Sequence, residues 1–203
     1  MINILTVERE YGTGAPYIAK AIAERMGWKL WDHEITEEIA RRLKCKSELV
    51  ERHEEKLDSV FYRLMKAFMR GSFESHTDAG LELLDAEHLA GLFEKVILEI
   101  AGRGNCVIMG RGAPYFLRDH RDAFHVFLYA PYEEKLRRVI EIGKSRREAE
   151  DLLESVDAER AAFIHKYYNK VWPDRYLYNM MLNVRTGDDQ AIETIMHGMK
   201  QLG

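Results

Sequence analysis

Two glycines, Gly12 and Gly14, stand between the apolar run Ile2-Asn3-Ile4-Leu5-Thr6-Val7 and a stretch in which Ile18, Ala21, Ile22 and Met26 recur at helical spacing. A strand, a glycine turn and a helix in that order are the parts of a phosphate-binding loop. The glycines let the backbone take positive φ close to an anion, and the helix start behind them offers unpaired N–H groups. The complete motif, G-x-x-x-x-G-K-[ST], adds a lysine for the phosphates and a short hydroxyl for Mg²⁺. Here Ala15, Pro16 and Tyr17 follow the last glycine instead. Pro16 suits the first turn of a helix but removes an N–H from the rim, and Tyr17 cannot imitate the short hydroxyl. The nearest cations are Arg9 and Lys20, opposed by Glu8 and Glu10. The plainer alternative for two glycines after a strand is a tight turn with no ligand.

Arginines supply the second set of candidates. In "VIMGRGAPYFL", residues 107 to 117, a buried strand ends at Gly110 and Arg111 emerges where open α/β sheets bind ligands. A guanidinium there suits bidentate recognition of a phosphate or base edge; the alternative is a surface arginine in a loop. Arg137 and Arg138 fall on a helix after the next strand, where a solvated face is the alternative to a nucleotide contact. In "SVDAERAAFIHKYY", residues 155 to 168, Arg160 could reach over a transferring phosphate, or simply pair with Asp157 three residues earlier. Asp32, at the end of the second strand-like run, is a candidate acceptor or metal contact. Tyr167, Tyr168, Trp172 and Tyr176 read as core and lid packing rather than base-stacking platforms.

The elements that must position these groups alternate. Strand-like runs occur at 2–7, 28–31, 105–109, 123–129 and 180–184, separated by helical patterns, and Gly27 is placed to stop the first helix. Such alternation implies parallel pairing through right-handed crossovers, hence a three-layer α/β sandwich on a five-stranded sheet. The stretch 33–102 holds no convincing strand. Helical patterns run there from about Glu34 to Leu43, Ser47 to Arg70 and Asp85 to Ala101, with a polar loop at 71–80. Ser145-Arg146-Arg147-Glu148 matches a capping box that opens one helix; a further helix follows from roughly Asp157 to Lys170, ended by Trp172-Pro173-Asp174.

A chain of 203 residues with 46% hydrophobic content suits one domain carrying an insertion, with a core of ordinary size. A net charge of -4 gives no general attraction to nucleic acid or an anionic membrane. The two cysteines, Cys45 and Cys106, have no metal or redox spacing, and no apolar run approaches a membrane span. A cytoplasmic protein without nucleic-acid or membrane partners is the expectation.

Taken in order, GTG, VIMGRGAPYFL, YAPYEEKLRRV, SVDAERAAFIHKYY and YNMMLNV resemble the cytidylate kinase-like family, a branch of the P-loop nucleoside monophosphate kinases. The resemblance covers nearly the whole chain, most firmly 1–32 and 105–184. It implies one kinase-like domain with its core at 1–32 and 103–203, an NMP-binding-type helical insertion at 33–102, and a helical lid at about 141–175. It implies ATP and Mg²⁺, with the metal carried mainly by the nucleotide and no protein ligand assigned. Arg9, Gly12, Thr13, Gly14 and Arg138 would bind the nucleotide phosphates. Arg111 and Arg160 would be catalytic, holding the acceptor and the transferring group, with Asp32 beside the acceptor. The branch usually reads R-E-Y-G-S-G-G-R-E, so Arg9-Glu10-Tyr11-Gly12-Thr13-Gly14 follows it while Ala15-Pro16-Tyr17 departs. Gly112 replaces the aspartate of a Gly-Arg-Asp motif, and Asn179 stands where aspartate is usual.

The expected function is phosphoryl transfer to a nucleoside monophosphate or related small phosphate. The alternative is a degenerate kinase that binds such a ligand without turnover. A third idea is a homodimer through the 33–102 helices, where Leu57, Phe61, Leu64 and Phe68 form an apolar stripe.

Overall fold

The computed structural model describes residues 1–47 and 86–202. The stripe Leu57, Phe61, Leu64 and Phe68, the helical pattern after Ser47 and the loop 71–80 lie outside them, and with them the expected dimer surface.

Strands β1 (Ile4–Arg9), β2 (Lys29–Trp31), β3 (Cys106–Met109), β4 (Ala123–Tyr129) and β5 (Met180–Asn183) form one sheet in the order β2-β3-β1-β4-β5. Every pairing is parallel, with Val7 opposite both Met109 and Val126. The helices are α1 (Ala15–Met26), α2 (His33–Ser47), α3 (Ala86–Ala101), α4 (Ala113–Leu117), α5 (Tyr132–Glu141), α6 (Arg146–Tyr168) and α7 (Asp188–Leu202). The expected α/β three-layer sandwich with helical additions is what forms.

Strand alternation sorts the two faces. Leu5 and Val7 pack with α1 and α7 through Ala15, Ile18, Ile22, Ile192 and Ile195. Ile4 and Ile108 pack on the other face against Phe93 and Ile97 of α3, Ala113 and Leu117 of α4, and Phe163 of α6. A third cluster, with Leu136 and Val139 of α5, Leu153 and Val156 of α6, and Tyr11, lies apart from both. Helix α6 is therefore anchored at one end to α5 and at the other to the α3–α4 layer.

Ser145 caps α6 as its sequence suggests: its hydroxyl accepts from the Glu148 N–H while the Glu148 carboxylate accepts from the Ser145 N–H at 2.9 Å. From there α6 runs unbroken to Tyr168, where two helices were expected. Nothing between Ser155 and Asp157 breaks it, because Val156 is fully buried and continues the apolar face. Strand β1 also runs two residues further than expected, so Glu8 and Arg9 belong to the sheet.

His125 is buried inside β4. Its Nε2–H donates to the Leu117 carbonyl at 3.2 Å, which leaves Nδ1 to accept from the Thr6 hydroxyl at 2.7 Å. Burial pulls the imidazole down from 6.5 to about 4. The unfolded chain therefore takes up this proton first as pH falls. The associated stability is complete above 6.5 and is lost towards about 4, about 3 kcal/mol in all. Urea melts between pH 7 and 4.5 should show His125→Asn with a correspondingly shallower acid loss than wild type.

Among the described residues, no helix is long and apolar enough to cross a membrane.

Candidate functional site

Helix α1 follows β1 on one face of the sheet and α4 follows β3 on the other, although β1 and β3 are neighbours. Their carboxyl ends thus flank the topological switch point, the crevice where open α/β sheets bind ligands. Gly12 and Gly14 open one side of it, and Gly110, Arg111 and Gly112 the other.

The glycines of the loop are required by close packing as well as by conformation. Gly12 and Gly14 have φ of 79° and 75°. A Cβ on Gly12 would lie 3.0 Å from Val139, and one on Gly14 would lie 2.6 Å from Nη1 of Arg138. Helix α5 thus presses on the loop from outside. The Thr13 hydroxyl donates to the Glu10 carbonyl at 2.9 Å and closes the turn. Gly14 caps α1 without a side-chain hydrogen bond. Among the described residues, the N–H groups of Gly12, Thr13, Gly14 and Ala15 find no acceptor, so they remain for an anion.

Arg138 braces this loop. Its guanidinium pairs with Asp188 at 2.7 Å and Glu134 at 3.0 Å, and Nη1 reaches the Thr13 carbonyl at 3.4 Å. Its charge is matched by two carboxylates on the outer side of the loop. Arg137 is half-exposed and pairs with Glu134 and Glu141 on the solvated face of α5. Lys20 is exposed beside Glu24.

Arg9, Arg111 and Arg160 converge at the switch point, each no more than 2% exposed. Arg111 sits 3.7 Å from Asp32, which is itself buried, so these two candidates are brought together. Arg160 donates to the Arg9 carbonyl at 2.9 Å and pairs with Asp157 at 3.0 Å. Burial first, then the like charge of Arg9, pulls the Arg160 guanidinium down to about 9, against Asp157 and Glu8. Burial likewise lowers Arg111, with Asp32 opposing and Arg9 adding to the shift. Buried cations that repel one another make a place where an anion lowers the energy.

Two carboxylates that organise the site were not singled out by sequence. Glu8 is fully buried; it accepts from the Gly112 N–H at 3.0 Å and from the Trp172 indole N–H at 3.4 Å. An acid inside an otherwise apolar strand was the available signal, and its neighbour Arg9 masked it as an ordinary ion pair. Asp157 was read only as a helix-surface partner of Arg160. It also accepts from the Tyr11 N–H, at 2.9 and 3.1 Å, and lies 4.0 Å from Lys135, whose ammonium is 2.8 Å from Glu10. Burial raises Asp157 above its ordinary value, with Arg160 and the Tyr11 N–H opposing. Helix α6 is thereby fastened to the start of the loop.

The aromatic residues divide. Tyr168 packs on Phe116 and Phe163 and donates to the Arg111 carbonyl at 3.1 Å, and Trp172 packs edge-on to Phe127. Tyr176 is 83% exposed and does not pack as expected: its nearest partner is Arg175, alongside it in a surface turn. The Asn179 carbonyl oxygen accepts from the His125 N–H at 2.7 Å, a bond that aspartate could make equally well.

Gly112 has a steric cause. At φ 67°, a Cβ here would fall 2.3 Å from Cε2 of Tyr168 and 3.0 Å from Cδ1 of Ile164. Helix α6 comes too close for the aspartate of a Gly-Arg-Asp motif. Gly112→Asp should destabilise the fold by about 1–3 kcal/mol from overpacking, with about 1 kcal/mol more from the left-handed backbone. Denaturant melts check this, and a change below about 0.5 kcal/mol would remove the steric explanation.

The residues fit a nucleotide's phosphates better than they fit a protein-held metal. The loop N–H groups and the buried guanidinium of Arg9 can hold phosphate oxygens. Pro16 supplies no hydroxyl, and among the described residues no cluster of three or more His, Cys, Asp or Glu could hold a metal ion. No step is therefore assigned to a metal bound by the protein.

The fold recurs in solved structures. An uncharacterized protein from Eubacterium ventriosum ATCC 27560 is 22% identical with a TM-score of 0.70, covering 99% of each chain. A gluconokinase from Sinorhizobium meliloti 1021 is 14% identical with a TM-score of 0.56, over 98% of this chain and 93% of that one. A shikimate kinase from Bacteroides thetaiotaomicron is 17% identical with a TM-score of 0.51, over 97% and 98%. At such identities the likeness shows the fold alone. No curated protein matches the chain at a significant level. The cytidylate kinase-like family matches residues 4–186, across the loop, the switch-point arginines and α6, and the chain belongs to that family.

Proposed function

We propose that this protein transfers the terminal phosphate of ATP to a nucleoside monophosphate or a related small phosphorylated acceptor. The observation that carries it is the convergence of Arg9, Arg111 and Arg160 beside a glycine loop whose N–H groups have no acceptor among the described residues. Phosphoryl transfer needs little more than two phosphates held in line and their charge neutralised. An acceptor phosphate oxygen attacks the γ-phosphorus, a P–O bond forms, and the bond to ADP breaks. The nucleophile is already ionised, so no general base is required.

In this assignment Gly12, Thr13 and Gly14 hold the donor phosphates through their N–H groups, and Arg138 braces them. Arg111, with Asp32 behind it, takes the acceptor phosphate, and Arg160 faces the group in transfer. Residues 141–175 correspond to the lid over a single domain and hold Arg160 at the site from α6, and Mg²⁺ arrives with the nucleotide. The chain works as a cytoplasmic enzyme on a small-molecule partner.

Binding without turnover is the second reading. It is favoured by Ala15 and Pro16 after the loop and by the Thr13 hydroxyl being spent on Glu10.

The test is transfer from γ-labelled ATP with Mg²⁺ at high protein concentration, offering CMP, dCMP, UMP, AMP and GMP in turn. A labelled diphosphate that is absent with Arg111→Ala supports the enzyme and names its acceptor. Nucleotide binding by calorimetry with no product from any acceptor supports the second reading.

A further inference from the structure

We infer that Arg9 supplies the charge of the missing loop lysine, reaching the donor's terminal phosphate from beneath the loop rather than from the helix after it. This rests on the kinase reading above and names the residue that makes its loop competent.

Counting back from Gly14 in G-x-x-x-x-G-K-[ST], Arg9 occupies the first glycine's position and Ala15 the lysine's. The motif has lost a cation at its end and gained one at its beginning. Arg9 is the last residue of β1, and strand alternation puts its side chain on the face of Leu5 and Val7, the face that α1 and the loop cover. Glu8 points to the opposite face, towards Gly112 and Trp172. The Arg9 guanidinium lies across the end of β3: a Cβ on Gly110 would fall 2.2 Å from its Nη1. It therefore fills the space between β1 and β3 at the switch point, and Gly110 is glycine to let it through.

The other cations near the loop each face a carboxylate. Lys135 is held by Glu10 and Asp157, Arg138 by Glu134 and Asp188, Arg160 by Asp157, and Arg111 faces Asp32. Arg9 differs. It is 2% exposed, and among the described residues neither Nη1 nor Nη2 has a hydrogen-bond partner. Two terminal nitrogens of a buried guanidinium without acceptors are costly, and a phosphate group satisfies both in the fork geometry that arginine prefers.

The test is calorimetric binding of tripolyphosphate, ATP and CMP, without turnover, to wild type, Arg9→Gln, Arg9→Lys and the outer-face control Arg25→Gln. Arg9→Gln is expected to weaken tripolyphosphate and ATP at least about 10-fold while CMP changes less than about 2-fold. Arg9→Lys, which keeps the charge but not the fork, should fall between, and Arg25→Gln should match wild type. Equal ATP binding by wild type and Arg9→Gln overturns the role of Arg9 and leaves the kinase reading standing. No binding of ATP or tripolyphosphate by wild type overturns both. Should Arg9→Gln fail to fold, guanidinium NMR of arginine-labelled wild type decides. Arg9 Nη signals that shift and sharpen on adding tripolyphosphate support the assignment, and signals that stay unchanged at saturation overturn it.

Discussion

Arg111→Ala is expected to lower phosphoryl transfer by about two to three orders of magnitude, the usual cost of losing one donor aimed at developing charge. Arg111 is fixed more tightly than a loop residue ordinarily is. Its backbone is left-handed at φ 62°, between two glycines that are also left-handed. Its carbonyl accepts from Tyr168 on α6, and its guanidinium lies against buried Asp32. The alanine variant would also remove the buried cation beside Asp32, so a stability loss accompanies the rate loss and must be separated from it. Arg111→Lys does that. It keeps a positive charge beside Asp32 but loses the planar fork, so its melting should stay near wild type while transfer still falls at least about 10-fold. Steady-state kinetics with both substrates varied show where the loss falls. A role at the acceptor raises the KM for the acceptor more than that for ATP. Equal loss in both would place Arg111 at the transferring group, and no loss in Arg111→Ala would remove it from the chemistry.

Glu8→Ala is expected to be among the most destabilising single substitutions, at about 3–5 kcal/mol, because it removes the buried countercharge from a cluster of arginines. Its charge opposes the lowering of both Arg111 and Arg160. The same carboxylate joins Gly112, just after β3, to Trp172 in the segment after α6, so its loss also leaves one buried and one part-buried donor without an acceptor. Glu8→Gln separates the two contributions. The amide oxygen can still accept, so the variant should keep part of the stability while losing the charge balance. Added phosphate or pyrophosphate should recover stability in both variants, since an anion at the arginines replaces the charge removed. Urea melts with and without pyrophosphate measure this. A loss below about 1 kcal/mol in Glu8→Ala would show that the arginines are balanced from elsewhere.

The sheet was legible because each strand announces itself. Ile4 to Val7, Cys106 to Met109 and Phe124 to Leu128 are buried on both faces and read as short continuous apolar runs between turns. Helix limits were legible where local chemistry sets them, at Gly27 and at the Ser145–Glu148 box. Arg111, Arg160 and the glycines stood out in the sequence by residue type, and they do meet around one crevice. The long-range contacts of Glu8, Arg9 and Asp157 were not legible, for a common reason. Each acts through a partner far along the chain: Glu8 through Gly112 and Trp172, Arg9 through Gly110, and Asp157 through Tyr11. Sequence displays the near neighbours Glu8–Arg9 and Asp157–Arg160, and those local pairs looked sufficient. Tyr176 failed in the other direction. An aromatic residue beside Trp172 suggested packing, yet the turn after Pro173 carries it outward into solvent.

The most direct measurement is a crystal structure with a bisubstrate analogue, two nucleosides joined by a chain of phosphates. The phosphates are expected along the N–H groups of Gly12 to Ala15, passing Arg9, with the far end against Arg111 and Arg160. Phosphates seated instead in the cavity of about 400 Å³ lined by Lys20, Trp28, Asp32 and His33, with the switch-point arginines untouched, would contradict the central assignment.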